Sequence, residues 1–298
     1  MFTGALIAIV TPFRNGKVDE RAFGDLIEWQ IANGTNGIVP CGTTGESATL
    51  SHQEHHRVVE LTVEVVNRRV PVIAGTGSNS TAEAVSLTKH AKEAGADGAL
   101  IITPYYNKPT QEGLYRHYKL IAESVDLPQI LYNIPGRTGV NMLPATVARL
   151  CGLGSIVGIK EGSGSVIQAS EIVSTCGERM TVLAGDDSLT LPMMAVGGKG
   201  VISVASNVVP LQMAQMVKAF LSGQIEEARR IHFSLSPLFN ALFYETNPIP
   251  VKTALGMMGK IDPELRLPLC EMATDMKSQL TRALQDAGLI EPGSPRYR

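Results

Sequence analysis

Ser155-Ile156-Val157-Gly158-Ile159-Lys160 is an unbroken apolar run that ends on a lysine, and Glu161-Gly162-Ser163-Gly164 follows at once. A short apolar run bounded by turn residues reads as a strand buried on both faces, which is the habit of parallel sheets. A lysine at the last position of such a strand sits where desolvation disfavours the ammonium form. A neutral amine there can attack a ketone and form a Schiff base. The other reading is a lysine that leaves the strand and carries its ammonium to water along an apolar stem. This segment alone does not separate the two.

Seven more runs of the same kind surround it: Leu6–Val10, Gly37–Val39, Val70–Ala74, Gly98–Ile102, Gln129–Tyr132, Thr181–Ala184 and Gly200–Val204. Amphipathic segments lie between them, among them Asp19–Asn33, Gln53–Asn67, Ala82–Ala94, Gln111–Ser124 and Ala145–Leu150. Asn33-Gly34 and Ala94-Gly95 are helix stops. Strands alternating with helices predict βαβ units and a parallel sheet. Eight repeats predict an α/β fold of the (β/α)8 TIM-barrel kind. An open doubly wound sheet would more often carry a glycine-rich first turn, and Thr11-Pro12-Phe13 is not one. After the eighth run, Pro210–Ser222 completes the barrel. Gln224–Phe243, Pro248–Met258 and Ala273–Ala287 read as a C-terminal helical appendage. The expected division is therefore residues 1–223 as barrel and 224–298 as C-terminal helical region.

Composition narrows the function classes. The 298 residues are 44% hydrophobic and 18% charged, with a net charge of −2, as expected of a globular chain with one large core. No basic stretch suggests a nucleic-acid surface, and 5% aromatics do not furnish stacking platforms. No apolar run reaches membrane-spanning length, and Met1–Val10 lacks the basic flank of a signal peptide. Cys41, Cys151, Cys176 and Cys270 are scattered, which fits a reducing, cytoplasmic setting rather than a disulfide framework. His52, His55 and His56 do not form HExxH, and no metal site is expected; a partly exposed helix face accounts for them.

In a barrel the C-terminal strand ends build the active site. Those ends carry Thr11-Pro12, Cys41-Gly42-Thr43-Thr44-Gly45-Glu46-Ser47, Gly75-Thr76-Gly77, Thr103-Pro104-Tyr105-Tyr106, Tyr132 with Arg137 just beyond, Lys160, Gly185-Asp186-Asp187 and Ser203. The Gly42–Gly45 turn can gather N–H groups and hydroxyls around a carboxylate. It can equally be a plain βα turn with a threonine cap. Tyr132 can shuttle protons to a forming carbinolamine, or simply line the barrel. Arg137 suits a substrate carboxylate, and is equally at home on a surface. Gly75-Thr76-Gly77-Ser78-Asn79-Ser80 lacks the third glycine and the lysine of a nucleotide loop.

Taken together, these stretches resemble the dihydrodipicolinate synthase family of the pyruvate-dependent class I aldolase superfamily. The matching segments are Gly4–Pro12, Gly42–Ser47, Ala74–Gly77, Thr103–Tyr106, Tyr132-Asn133-Ile134-Pro135-Gly136-Arg137-Thr138-Gly139, Gly158–Glu161, Gly185–Asp187 and Asn247–Lys252. They cover nearly the whole chain, and the arginine of the Tyr132–Gly139 stretch is the most specific of them. The resemblance implies that Lys160 forms an imine with pyruvate, whose enamine attacks L-aspartate 4-semialdehyde to give 4-hydroxy-tetrahydrodipicolinate, without a cofactor. It implies a proton relay of Tyr132, Thr43 and Tyr106, with Tyr106 reaching a neighbouring subunit of a homotetramer built as a dimer of dimers. It implies substrate binding by Thr44, Arg137, Ile202 and Gly185. It implies an inhibitory L-lysine site of Ser47, Ala48, Leu50, His52, His55, Asn79, Glu83 and Tyr105. The rival readings are a sugar-acid aldolase, which would share Lys160 and Tyr132 but lack Arg137, and a keto-acid-binding protein without activity.

Overall fold

A computed structural model describes residues 2–291. Eight parallel strands form the central sheet: β1 (Gly4–Ala8), β2 (Gly37–Val39), β3 (Ile73–Gly75), β4 (Gly98–Ile102), β5 (Gln129–Asn133), β6 (Ile156–Glu161), β7 (Thr181–Ala184) and β8 (Gly200–Ser203). Their order is β2-β1-β8-β7-β6-β5-β4-β3. The two outer strands meet through a parallel bridge between Ile38 and Val72, with the Ile38 N–H on the Pro71 carbonyl (2.9 Å) and the Gly75 N–H on the Pro40 carbonyl (2.9 Å). The sheet thus closes on itself, as the eight repeats predict.

Helices α1 (Glu20–Ala32), α2 (His52–Val66), α3 (Thr81–Ala94), α4 (Gln111–Ser124), α5 (Pro135–Thr138), α6 (Pro144–Leu150), α7 (Val166–Cys176), α8 (Thr190–Ala195) and α9 (Pro210–Leu221) wrap the barrel. The starts follow local chemistry. Asp19, Ser51, Thr110 and Ser165 accept the first orphan N–H groups of α1, α2, α4 and α7, and Ser51 with Glu54 forms a complete capping box. Helices α7 and α8 fill the two intervals for which the sequence reading named no helix. Two boundaries shift for identifiable reasons. Pro71 has no N–H for the ladder, so β3 begins at Ile73 rather than Val70. The Val10 N–H goes to Asn207 Oδ1 (3.1 Å), so β1 ends at Ala8.

Two apolar layers follow from strand alternation. Leu6, Ala8, Val39, Ile73, Leu100, Ile130, Leu183 and Ile202 fill the barrel, and Tyr132 joins them at its upper end. Ala5, Ile7, Ile38, Ala99, Leu131 and Val182 face the helices. Beyond α9 come α10 (Ile225–Ala241), α11 (Ile249–Met257) and α12 (Thr274–Asp286), close to the expected spans. Helix α11 is buried from Ile249 to Gly256, the behaviour of a helix that is apolar nearly all round. It enters the structure after the cis Asn247–Pro248 bond and lies beside the Gly42–Glu46 turn.

Candidate active site

Strands β5 and β6 end side by side, with Tyr132 opposite Lys160 and Asn133 opposite Glu161. Plain alternation from Ile156, which packs outward, would turn Lys160 outward as well. The register shifts instead: Ile156 pairs with Gln129 and Gly158 with Ile130, so Val157 is one residue too many. A bulge reverses the parity of everything after it. Val157 packs on the inner cluster, Ile159 on the outer one, and Lys160 turns into the barrel. Its Nζ lies 4.4 Å from the centre of the Tyr132 ring. Lys160 is 4% exposed and makes no hydrogen bond or ion pair among the described residues.

The amine meets a narrow cavity of about 40 Å³ that Tyr132, Thr43, Thr44, Arg137 and Gly185 also line. The turn after β2 is wound tightly: the N–H groups of Gly45, Glu46 and Ser47 bond back to the carbonyls of Gly42 and Thr43. Those of Thr43 and Thr44 have no partner among the described residues. Two such neighbouring donors suit a carboxylate. Thr11 Oγ1 donates to the Gly45 carbonyl (2.7 Å) and fixes the turn to the end of β1. Gly185 has to be glycine, because a Cβ would sit 2.9 Å from the Glu161 carbonyl oxygen.

The C-terminal region contributes as well. Asn247 Nδ2 donates to Thr44 Oγ1 (3.0 Å), and the Asn247 carbonyl accepts from Arg137 (2.9 Å). On α11, Lys252 Nζ lies 2.7 Å from Glu46 Oε1 and 3.0 Å from the Thr11 carbonyl, with both side chains sealed from solvent. Burial pulls Lys252 below the usual lysine range, while Glu46 holds it up. Arg266 donates its backbone N–H to Glu46 Oε2 (3.2 Å) and its guanidinium to Glu54, holding the Glu54 carboxyl down at about 2. Asp187 is buried behind β8 and accepts the N–H groups of Val204 (3.1 Å) and Ala205 (2.8 Å); burial pushes its carboxyl up to about 6.

Six of the eight residues expected to act on substrate therefore share one cavity: Lys160, Tyr132, Thr43, Thr44, Arg137 and Gly185. Ile202 is enclosed in the inner cluster, and Val204 forms the wall beside it. Tyr106 is 90% exposed in a left-handed conformation (φ 73°) and does not line this chain's own cavity.

A second, larger cavity of about 430 Å³ lies between α2, α3 and the β2 turn. Ser47, Ala48, Leu50, His52, His55, Glu83 and Tyr105 line it; Asn79 does not, its carbonyl being engaged by Asn107. Glu83 takes hydrogen bonds from Ser78 and at 2.8 Å from His52. The expectation of a partly exposed histidine face fails at His55, which is buried with Nε2 on the Gly75 carbonyl (2.8 Å). Since that carbonyl can only accept, Nε2 carries the proton and Nδ1 is left as an acceptor. Burial pushes His55 down to about 4, so the ring is neutral at pH 7. Among the described residues no group of three or more His, Cys, Asp or Glu could hold a metal, and no helix is long and apolar enough to cross a membrane.

Sequence reasoning gave no role to Asn247, Lys252, Glu46 or Glu161. Lys252 falls in the expected helix Pro248–Met258 and Asn247 just before it, and the resemblance of Asn247–Lys252 attached no chemistry to either. Glu46 and Glu161 each stand next to a residue already singled out, and for Glu161 a carboxylate at the end of an apolar strand was the available signal.

A barrel whose sixth strand carries, near its end, a buried and unpaired lysine against a tyrosine of the fifth defines an aldolase-type enzyme. The particular family follows from comparison: the model of the Dihydrodipicolinate synthetase family matches residues 1–287, and the chain belongs to that family. It is 60% identical over 291 residues to the 4-hydroxy-tetrahydrodipicolinate synthase of Thermodesulfovibrio yellowstonii, covering 98% of this chain and 100% of the relative. The solved dihydrodipicolinate synthase of Acinetobacter baumannii, described as chloride inhibited and complexed with pyruvate, superposes with a TM-score of 0.96 at 48% identity, over 97% of this chain and 100% of that one. The enzyme from Cyanidioschyzon merolae with lysine bound gives a TM-score of 0.94 at 41% identity, over 97% and 99%.

Proposed function

We propose that this chain condenses pyruvate with L-aspartate 4-semialdehyde to 4-hydroxy-tetrahydrodipicolinate, with Lys160 as nucleophile. The observation that carries the reading is the inward, unpaired Lys160 amine 4.4 Å from the Tyr132 ring, in the same cavity as the Thr43-Thr44 turn and Arg137. The amine lone pair attacks the pyruvate ketone, and the resulting carbinolamine loses water to an iminium. Tyr132, with Thr43, passes the protons of that step. The two unused N–H groups of the turn hold the pyruvate carboxylate. The iminium accepts the electron pair left when a methyl proton departs, so the reaction needs no metal or organic cofactor. The enamine carbon attacks the aldehyde. The second substrate's own amine then takes the iminium carbon, closes the ring and releases Lys160. Arg137, steadied by the Asn247 carbonyl, grips the second carboxylate.

Tyr106 completes the relay in a neighbouring copy's cavity, which makes a dimer the smallest working unit of a dimer-of-dimers homotetramer in the cytoplasm. Its exposure and left-handed backbone support an outward reach. The larger cavity binds L-lysine as an inhibitor. Glu83 receives its α-amino group and His55 Nδ1 faces its ε-ammonium, and the lysine-bound relative supports the effector's identity. Turnover with both substrates, compared between wild type and Lys160→Ala, tests the core of this reading. Turnover in the wild type and none in a folded Lys160→Ala is expected, and no turnover by a well-folded wild type would overturn the reading in favour of a sugar-acid aldolase or a keto-acid-binding protein. Titrating L-lysine into the same assay tests regulation, with inhibition by millimolar effector expected.

A further inference from the structure

Glu161 follows Lys160, lies on the opposite face of β6 and is fully buried. Acidic side chains are almost never fully buried without a cation. No lysine or arginine pairs with Glu161 among the described residues. Its carboxylate is held by donors alone: the Ser163 N–H (2.7 Å), Gln168 Nε2 (3.1 Å) and Asn133 Nδ2 (3.2 Å). Asn133 is Glu161's partner across the ladder, just as Tyr132 is the partner of Lys160. Asn133 donates also to Asn141 (2.7 Å) and accepts the Met142 N–H (2.9 Å). Asn141 and Gln168 bond each other in both directions (2.9 and 3.2 Å). Every member of this set is tied to at least one other, and the set sits directly behind the amine–phenol pair.

We propose that Glu161 is a positioning residue, which with Asn133, Asn141 and Gln168 locks the ends of β5 and β6 so that Lys160 Nζ and the Tyr132 ring keep their spacing. The inference rests on the imine reading above. A carboxylate suits the place because it only accepts, and three donors converge on it. A glutamine of the same shape would turn its own NH2 against one of those donors. Burying a charge is costly for stability, and an apolar side chain of similar volume would fill the space at less cost. What the carboxylate supplies is order at the reacting atoms, where a displacement on the order of 1 Å costs about 100-fold in rate.

The test is the rate at which borohydride fixes pyruvate onto the enzyme, read by mass spectrometry, beside kcat and KM for pyruvate and the melting temperature. Glu161→Gln is expected to stay folded and to keep the pyruvate KM, because neither the Thr43-Thr44 turn nor Arg137 touches Glu161. Its fixation rate and kcat are expected to fall about 10- to 100-fold. Asn141→Ala, which keeps the carboxylate and loosens Asn133 and Gln168 around it, is expected to lower kcat several-fold with KM unchanged. It decides the matter if Glu161→Gln does not fold. Wild-type fixation rates and kcat in a folded Glu161→Gln, or in Asn141→Ala where only that variant folds, overturn the inference alone. A wild-type enzyme that pyruvate and borohydride leave unmodified overturns the Lys160 reading and this inference with it.

Discussion

The chain buries two lysines against aromatic rings, and their surroundings differ. Lys160 at the end of β6 lies 4.4 Å from the Tyr132 ring and Lys252 on α11 lies 4.3 Å from that of Phe13. Lys252 has a carboxylate at 2.7 Å and a carbonyl at 3.0 Å. Lys160 has neither, and opens on a cavity instead. A tied ammonium is a structural bolt, here joining the C-terminal helices to the Gly42–Glu46 turn. An untied amine at a cavity wall keeps its lone pair available for chemistry once a proton is lost. Burial alone therefore does not single out a lysine for chemistry; the proposed role of Lys160 rests on burial without an anionic partner, beside Tyr132 and an open cavity.

The same substitution at both positions gives the sharpest break between them. Lys160→Met is expected to abolish turnover while changing stability by no more than about 1.5 kcal/mol, since no partner is orphaned and the volume is kept. Lys252→Met is expected to cost about 3–5 kcal/mol of stability, because Glu46 is left charged and buried. Denaturant melts and turnover on both variants check this. Equal loss of stability at the two sites would erase the distinction drawn here. Adding Glu46→Gln to Lys252→Met should return part of the loss.

Acid probes two buried histidines, His55 on α2 and His117 on α4, the latter bonded to Thr81 (2.9 Å). Unfolded histidine takes up a proton near 6.5, whereas His55 and His117, both buried, do so only at about 4. Between those values the unfolded chain binds more protons, so stability is lost as pH falls from about 6.5 to 4, by up to about 3 kcal/mol for each ring. Asp187 works in the other direction, since its carboxyl is raised to about 6 from 3.8 and the folded state therefore gains as pH falls through the same window. Two histidines outweigh one aspartate, and a net loss of about 3 kcal/mol is expected. Melting temperatures at neutral pH and near pH 4 decide it, and a rise on acidification would reverse the balance. The smallest effect belongs to Asn247→Ala. Loss of the bond to Thr44 Oγ1 is worth about 1 kcal/mol, so the pyruvate KM should rise about five-fold with kcat nearly intact.

Much of the barrel was legible residue by residue. Gly37–Val39, Gly98–Ile102 and Thr181–Ala184 fall where the apolar runs put them, because short parallel strands between turn residues carry their own punctuation. The strand ends also disclosed Lys160, Tyr132, Thr43, Thr44 and Arg137 as neighbours-to-be, since barrel topology brings all such ends to one rim. Asn247, Lys252 and Glu161 fell within matching segments but received no role. Asn247 meets Thr44 across 203 positions and Lys252 meets Glu46 across 206, and no local pattern encodes such a pairing.

What the sequence alone determined is the alternation of strands and helices, the closed barrel it implies, and the presence of an amine at the end of the sixth strand. These are properties of periodicity and punctuation, which are local. The direction of that amine was decided by tertiary structure. Ser155–Lys160 is apolar on both faces, so it holds no period-two signal to say which side is inside. The extra residue at Val157 in the β5–β6 ladder settles the parity and turns Lys160 into the barrel. Pairing between strands is a relation between distant segments, and only the folded chain contains it.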